Sequence, residues 1–228
     1  MSNRSIQEKG YIYRFVEFHR TAEIFEKKSL FFARPSLWHD PYEVRIKHPR
    51  SEALFAQCWC QTAMTEAMWR IYSPHGTGVR IRTTKERLAA AARQWTRSKR
   101  HGYLEGEVVY MEPGPIGRFY KDLEAELTES YSVKRAAEAL LVKREAFGHE
   151  NEWRSIIYCK DVPAEQKGVE VPVDPHELID GIVLDPRAPS QLVDALALYF
   201  KQKLGYQGDV KASALYRPPK TIAIKPAK

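Results

Sequence analysis

Residues 150–158 read ENEWRSIIY, two carboxylates that lead directly into an apolar run rich in β-branched residues. Such a run is typical of a buried strand, and Gly148 just before it is typical of a helix end. Because side chains two positions apart share a face, Glu150 and Glu152 should point the same way where a helix gives way to a sheet. Carboxylates on one face can stabilise positive charge that develops on a sugar carbon. They can equally pair with Arg154 and other basic side chains and do no chemistry.

Outward from this stretch, the hydrophobic pattern predicts strands on both sides of a helical middle. Strands are predicted over 11–15, 30–33, 54–61, 79–82, 107–111, 152–159 and 178–184, with an edge strand over 221–224. Helices are predicted over 21–28, from 85 onward, and over 119–127, 132–147 and 190–205. This order predicts an α+β fold, a mixed or antiparallel sheet core with flanking helices.

The ends of these elements are predicted from their capping residues. Thr21 is the expected N-cap of the first helix, and Thr83 with Glu86 forms a capping-box pattern before the second. Pro113-Gly114-Pro115 is expected to close a strand. The stretch 132–147 carries an apolar stripe at helical spacing, which predicts core packing.

The size and composition favour a single domain over 1–228, with a C-terminal helix and basic tail over 185–228. The chain has 228 residues, of which 43% are hydrophobic and 29% are charged. No apolar run is long enough to span a membrane, and residues 1–5 do not begin a signal peptide. Three cysteines cannot form a complete disulfide set, so we expect a cytoplasmic protein with no membrane contact.

A net charge of +7 favours a polyanionic partner such as nucleic acid. Basic residues cluster over 93–101 and again near the end of the chain, at Lys211, Arg217, Lys220, Lys225 and Lys228. Such charge can track a phosphate backbone, and a solvated face with a solubilising tail explains it equally well.

Two segments near the start carry candidate binding residues. Arg14 is a charge within the first strand; facing inward it needs an anion, whereas on an edge strand it points to water. After the second strand, Trp38 and Tyr42 could stack on a base or a nicotinamide ring, beside Glu43. Asp40 could fix this loop by an Asx turn. A well-packed Ω-like loop is the alternative.

A third segment, 68–79, joins aromatic residues to a glycine-containing turn. Met68, Trp69 and Tyr72 share a helix face, so core packing is their first explanation. His75 lies in the turn, where backbone amides could approach a ligand.

Several common chemistries lack their motifs. The chain has no Walker loop, no G-x-G-x-x-G and no G-x-S-x-G elbow. The cysteines do not have zinc-site spacing, so we expect structural cysteines and assign no metal site.

Taken together, these motifs resemble the bacterial domain-of-unknown-function family 2971. That family has Tyr-Arg near the start, Asn-Asp-Pro-aromatic-Glu after a strand, Met-Trp-x-x-Tyr in the middle and Glu-x-Glu-aromatic-Arg late. The resemblance covers about 11–184 in matching order, with His39 where asparagine is usual. Genomes carry this family near mobile elements, which implies a toxin or a phage-defence effector.

A second resemblance is to the arginine class of ADP-ribosyltransferases, carried by Arg14 and by Glu150-x-Glu152. The serine-threonine-serine motif of that class is absent here. This resemblance implies NAD as cofactor, with Arg14 on its pyrophosphate or ribose and Glu152 stabilising the cationic sugar as nicotinamide leaves. It also implies that Glu150 positions the acceptor, a nucleic acid or another anionic target. The remaining cofactor contacts would come from Trp38, Asp40, Tyr42, Glu43, Tyr72 and His75.

Two alternatives from other classes remain open. In a nuclease or nucleic-acid-binding module, Asp40, Glu43, Glu150 and Glu152 would surround a metal ion. In a non-catalytic partner-binding protein, the polar motifs would only brace loops. For the transferase we expect the candidate residues to meet at one concave site, and Glu152→Gln to abolish activity with the fold intact.

Overall fold

The computed structural model of the protein describes residues 10–38, 40–48, 53–159, 162–163 and 165–222. Its strands are β1 (Tyr11–Glu17), β2 (Ser29–Ala33), β3 (Leu54–Cys60), β4 (Gly78–Thr84), β5 (Gly102–Glu107), β6 (Val109–Met111), β7 (Val142–Arg144), β8 (Glu152–Tyr158), β9 (Gly168–Pro172), β10 (Gly181–Leu184) and β11 (Asp209–Ala212). Its helices are α1 (Phe18–Lys27), α2 (Glu66–Tyr72), α3 (Lys85–Lys99), α4 (Pro113–Glu129), α5 (Val133–Ala139), α6 (Pro175–Leu178) and α7 (Ser190–Leu198). A 3-10 turn covers Glu145–Glu150.

Nine of the strands form one mixed sheet. The order is β11-β10-β4-β1-β3-β2-β9, and β8 joins β3 and carries β5 on its far side. Neighbours in it are antiparallel except β10 and β11, which are parallel. A second, two-stranded sheet pairs β6 with β7 in parallel. The expected α+β fold with a mixed sheet is confirmed.

The large sheet divides at β3. One edge of β3 pairs along its whole length with β8. Its other edge meets β1 at a single pair, Cys60 opposite Tyr13, and meets β2 at a single pair, Ala56 opposite Ala33. β1 and β2 therefore diverge from a common neighbour and leave an opening between them.

The alternation of side chains along β3 separates the two faces of the sheet. Phe55 and Trp59 belong to the main core, which also contains Leu88 of α3 and Leu196 of α7. Cys58 and Cys60 point to the opposite face, which α2 and α5 cover with smaller apolar clusters; their buried members include Met68, Trp69, Ala136 and Ala137.

Two of the predicted helix starts were wrong. α1 begins at Phe18 and not at Thr21, because Glu17 is the extended N-cap residue, and Thr21 is wholly buried within the helix. α3 is capped by Thr84, whose hydroxyl accepts a hydrogen bond from the Arg87 N–H. Thr83 instead donates its hydroxyl to the carbonyl of Leu178, 2.6 Å away, because it lies on the buried face of β4.

Two further predictions in the helical middle were wrong. Pro113-Gly114-Pro115 opens α4 and does not close a strand, since proline is tolerated in the first turn of a helix. The stretch 132–147 is not one helix, because α5 ends at Ala139 and the chain then enters β7. The C-terminal lysines Lys225 and Lys228, His39 and part of the predicted strand over 221–224 lie outside the described residues.

Candidate functional site

The opening between β1 and β2 is a cleft of about 910 Å³. β1 and α1 form one wall, and β2 forms the other. The end of α2 and the turn after it close one end, with Tyr72, Pro74 and His75. The divergence of the two strands at β3 is thus the direct cause of the cleft.

Arg14 is the cation at the fork of the sheet. Its side chain lines the cleft and lies near Cys58 of β3 and Tyr72 of α2. Burial lowers the pKa of this guanidinium, and an arginine side chain keeps its charge in proteins. Among the described residues, no hydrogen-bond or ion-pair partner is found for Arg14. A desolvated, unpaired guanidinium in a cleft is suited to an anionic ligand.

Aromatic rings line the same cleft as this cation. Phe31 of β2 is 43% exposed and Tyr72 is 39% exposed, although both are large hydrophobic side chains. His75 is also exposed on the cleft. Flat rings on the walls of a cleft are the groups that stack on a base or a nicotinamide ring.

A cluster of five charged side chains lies behind Tyr72. We call it the acidic network; it consists of Glu43, Lys143, Glu150, Glu152 and Arg154. Each of these side chains is at most 7% exposed. Three carboxylates therefore face two cations in a site that excludes water.

Glu152 is held most tightly in the acidic network. Lys143 donates to its Oε1 at 2.6 Å and Arg154 donates to its Oε2 at 2.7 Å. Lys143 also contacts Glu150 and lies 3.8 Å from Glu43, which in turn pairs with Arg154. Breaking such a buried pair is costly, so this arrangement stabilises the fold around it.

Glu150 and Glu152 have opposite pKa shifts although they are two residues apart. Burial and the neighbouring Glu152 carboxylate raise the pKa of Glu150 to about 7. Burial acts in the same direction on Glu152, but Arg154, Glu150 and Lys143 outweigh it and hold the pKa of Glu152 well below its usual range. Near neutral pH, Glu152 is therefore a fixed anion and Glu150 exchanges a proton.

The local backbone explains why the two carboxylates meet. Glu150 ends the 3-10 turn and Glu152 begins β8, and Asn151 between them adopts a left-handed conformation with φ 43°. Asparagine tolerates that region better than most residues. Its side-chain amide donates to the Thr62 hydroxyl at 3.0 Å, which anchors this connection to the loop after β3.

Tyr72 and Cys58 join the cleft to the acidic network. The Tyr72 hydroxyl donates to Glu150 Oε1 at 3.4 Å, and its ring lines the cleft. Cys58 lies between Arg14 on one side and Glu152 with Arg154 on the other. Burial raises the pKa of the Cys58 thiol, so it stays protonated. Among the described residues, Arg14 is therefore connected to the acidic network only through Tyr72 and Cys58, and its joint action with Glu152 stays a prediction.

The other predicted site residues lie beyond the acidic network, away from the cleft. Trp38 packs its ring against the Arg154 guanidinium, with 4.7 Å between the Arg154 Cζ and the ring centroid. Asp40 pairs with Arg144 at 2.8 Å and accepts the Tyr42 N–H at 3.1 Å, which confirms the Asx turn. Arg144 covers the Tyr42 ring at 4.6 Å. These residues hold the basic partners of the site, and their contact with a cofactor stays a prediction.

Lys143 and Phe31 are the site residues that sequence reasoning missed. Lys143 lies in a segment that was predicted as a helix. Its strand conformation is what turns its side chain toward Glu150 and Glu152. A lysine beside the apolar Val142 was the available signal. Phe31 was assigned to a buried strand, but its alternation with the buried Phe32 places it on the cleft side.

The carboxylates of the nuclease alternative are already paired. Asp40 contacts Arg144, while Glu43, Glu150 and Glu152 contact Lys143 or Arg154. Within the described ranges, no group of three or more His, Cys, Asp and Glu side chains is arranged to hold a metal ion.

The basic segment 93–101 does not line the cleft. It forms the end of α3, which packs on the main-core face of the sheet, opposite the acidic network. One of its charges, Arg93, pairs with Glu105 at 2.7 Å. No helix in the part of the chain that the structure describes is long and apolar enough to cross a membrane.

Residues 68–155 match the model of a family described as "Protein of unknown function (DUF2971)", the family whose motifs this sequence resembles. The match confirms that recognition and includes Tyr72, Lys143, Glu150, Glu152 and Arg154. No curated protein sequence matches the chain.

The solved structures similar to this fold include DarT of Thermus sp. 2.9. Its complexes with carba-NAD+ and with NAD+ are each 10% identical, with a TM-score of 0.42 over 90% of this chain and 96% of that chain. Its complex with ADP-ribosylated ssDNA is 9% identical, with a TM-score of 0.43 over 90% of this chain and 95% of that chain.

Proposed function

We propose that the protein binds NAD in the cleft and transfers ADP-ribose from it to an acceptor, with release of nicotinamide. The observation that carries this proposal is Arg14, a desolvated guanidinium without a protein partner among the described residues. It lies at the fork of the sheet, beside the acidic network. An anion-binding cation next to buried carboxylates matches a substrate that combines a diphosphate with a sugar that becomes cationic.

The cleft fits such a ligand in size and chemistry. Its volume of about 910 Å³ lies within the range of about 300–1,000 Å³ that is usual for ligand sites. Arg14 would bind the diphosphate, and Phe31 and Tyr72 would contact the flat rings. His75 would lie at the rim. Binding by these groups leaves the paired carboxylates behind the cleft in place.

Glu152 would act as a fixed negative charge. Its pairing with Lys143 and Arg154 keeps it ionised and immobile, so its field is oriented before the substrate arrives. A preorganised charge stabilises positive charge on the sugar carbon without the cost of reorienting solvent. Arg14 would thus act on the diphosphate side of the ribose, and the acidic network on the side where the bond to nicotinamide breaks.

For the acceptor we propose a nucleic acid, consistent with the net charge of +7. A role as a toxin or phage-defence effector in the bacterial cytoplasm is part of the same proposal. Single-stranded DNA is the first acceptor to test, because DarT of Thermus sp. 2.9 was solved with ADP-ribosylated ssDNA.

The proposal is tested by Arg14→Gln. We expect the variant to lose at least about tenfold in NAD affinity, because a hydrogen bond to a charged group contributes about 1.5–3 kcal/mol. Isothermal titration calorimetry with NAD and with ADP-ribose measures the affinity of each variant for these ligands. Nicotinamide release in the presence of single-stranded DNA measures the reaction.

Arg118→Gln is the matched control, since Arg118 is exposed on α4 and outside the cleft. Its affinity should equal that of the wild type. A wild-type protein that binds neither ligand and releases no nicotinamide would overturn the proposed function and favour the non-catalytic alternative.

A further inference from the structure

Tyr72 is the only residue of the described chain whose hydroxyl is seen to reach both the cleft and a carboxylate of the acidic network. Its ring is 39% exposed on the cleft, whereas the Glu150 side chain is 7% exposed. The hydroxyl donates to Glu150 Oε1 at 3.4 Å. A catalytic hydrogen bond of this length is ordinary before substrate binds. Glu150 can therefore exchange protons with the cleft through Tyr72.

The surroundings of Glu150 favour proton exchange over a static ion pair. One carboxylate oxygen contacts Lys143 and the other faces the Tyr72 hydroxyl. The groups that face Glu150 from the packed elements are Lys143 (β7), Glu152 (β8), Tyr72 (α2), Tyr110 (β6) and Cys60 (β3). With three carboxylates against two cations, the acidic network can take up one proton without an unbalanced positive charge.

We infer that Tyr72 and Glu150 form a proton relay that deprotonates the nucleophile of the acceptor. The bond between the ribose carbon and nicotinamide breaks, and its electron pair leaves with nicotinamide. The acceptor atom bonds to the same carbon and loses its proton to the Tyr72 oxygen. Tyr72 passes its own proton to Glu150, and Glu150 later releases it to solvent. This inference rests on the proposed function.

The relay defines the class of acceptor. It serves a nucleophile that carries a proton, such as a hydroxyl group or the N–H of a nucleic-acid base. A carboxylate acceptor has no proton to lose and would gain nothing from Tyr72. The acceptor is therefore a protic group, and the transfer step depends on the ionisation of Glu150.

The test is the pH dependence of transfer by the wild type and by Tyr72→Phe, measured over about three pH units centred on 7. Single-stranded DNA and a carboxylate-bearing peptide serve as acceptors. In the wild type we expect transfer to DNA to rise as pH increases through about 7, since burial and Glu152 place the pKa of Glu150 there. Tyr72→Phe should lower transfer about a hundredfold and remove that rise.

Glu150→Gln should reproduce the loss, and the double variant should be no slower than either single variant because the two residues act as a unit. Tyr216→Phe is the matched control. The Tyr216 hydroxyl donates at 2.7 Å to Glu66 of α2, the helix that carries Tyr72, and this contact lies outside the cleft. NAD affinity separates the two proposals. If Tyr72→Phe binds NAD normally but keeps the wild-type rate and pH profile, the relay is wrong while the proposed function stands. If the wild type transfers only to the peptide, the relay and the nucleic-acid acceptor are both wrong, while NAD binding and ADP-ribose transfer stand.

Discussion

At the scale of single residues, Glu150 and Glu152 have the same chemistry and different environments. Two basic side chains hold Glu152, whereas Glu150 shares Lys143 and faces a tyrosine. The intervening Asn151 brings both carboxylates to the same ammonium. The pattern Glu-x-Glu therefore contains one fixed charge and one titrating group.

This difference changes the expected result of the Glu152→Gln substitution. The paired and buried Glu152 cannot lose its charge without leaving Arg154 and Lys143 short of a partner. We expect Glu152→Gln to lower the free energy of unfolding by about 3 kcal/mol or more. Glu150→Gln should cost less, because Glu152 still pairs with both Lys143 and Arg154. Urea unfolding at neutral pH measures both.

Glu145→Gln is the control for these two variants, since Glu145 is exposed in the same 3-10 turn as Glu150. It should unfold like the wild type. Equal destabilisation by Glu150→Gln and Glu152→Gln would contradict the unequal roles assigned to them.

At the scale of elements, the short strand β7 completes the site. It follows α5 after only two residues and pairs in parallel with β6, which places Lys143 opposite Tyr110. If α5 had continued through this segment, the Lys143 side chain would have had a different direction. Because a strand of three residues carries little signal of its own, its position depends on the partner strand and on the carboxylates that bind Lys143.

We expect Lys143→Met to be strongly destabilising. Methionine keeps an unbranched side chain of similar length but removes the ammonium, so three carboxylates remain with Arg154 alone. Glu43→Gln in the same chain should recover part of the loss, because it removes one of the uncompensated charges. Thermal unfolding of both single variants and the double variant gives the coupling between the two sites.

Lys134→Met is the matched control on the exposed surface of α5. It should change the stability by less than about 0.5 kcal/mol. Strictly additive effects of Lys143→Met and Glu43→Gln would show that the two groups do not interact across the acidic network.

At the scale of the whole molecule, the two faces of the sheet have different properties. The acidic network lies on one face and the basic end of α3 on the other, and no described residue of α3 lines the cleft. A polyanion bound along α3 would therefore not occupy the cleft. Binding of nucleic acid through this surface and recognition of NAD are expected to be separable.

We expect oligonucleotide binding to weaken steeply with salt, and the exposed pair Arg97 and Lys99 to contribute to it. Replacing both with glutamine should reduce the magnitude of the salt slope by about 2. Fluorescence anisotropy at several salt concentrations measures the slope, and NAD affinity should be unchanged. If oligonucleotide binding does not change with salt, the positive charge of this segment contributes to solubility and not to nucleic-acid binding.

The sequence by itself determined the fold class and most strands, because period-two patterns and β-branched residues act locally. It also identified Arg14 and Glu150-x-Glu152, since charges inside apolar runs stand out against their neighbours. Only the tertiary structure decided what these charges contact. The fork at β3 depends on which strands pair at long range, and β7 depends on β6. The pKa of Glu150 depends on Glu152, Lys143 and burial together, which no local pattern contains.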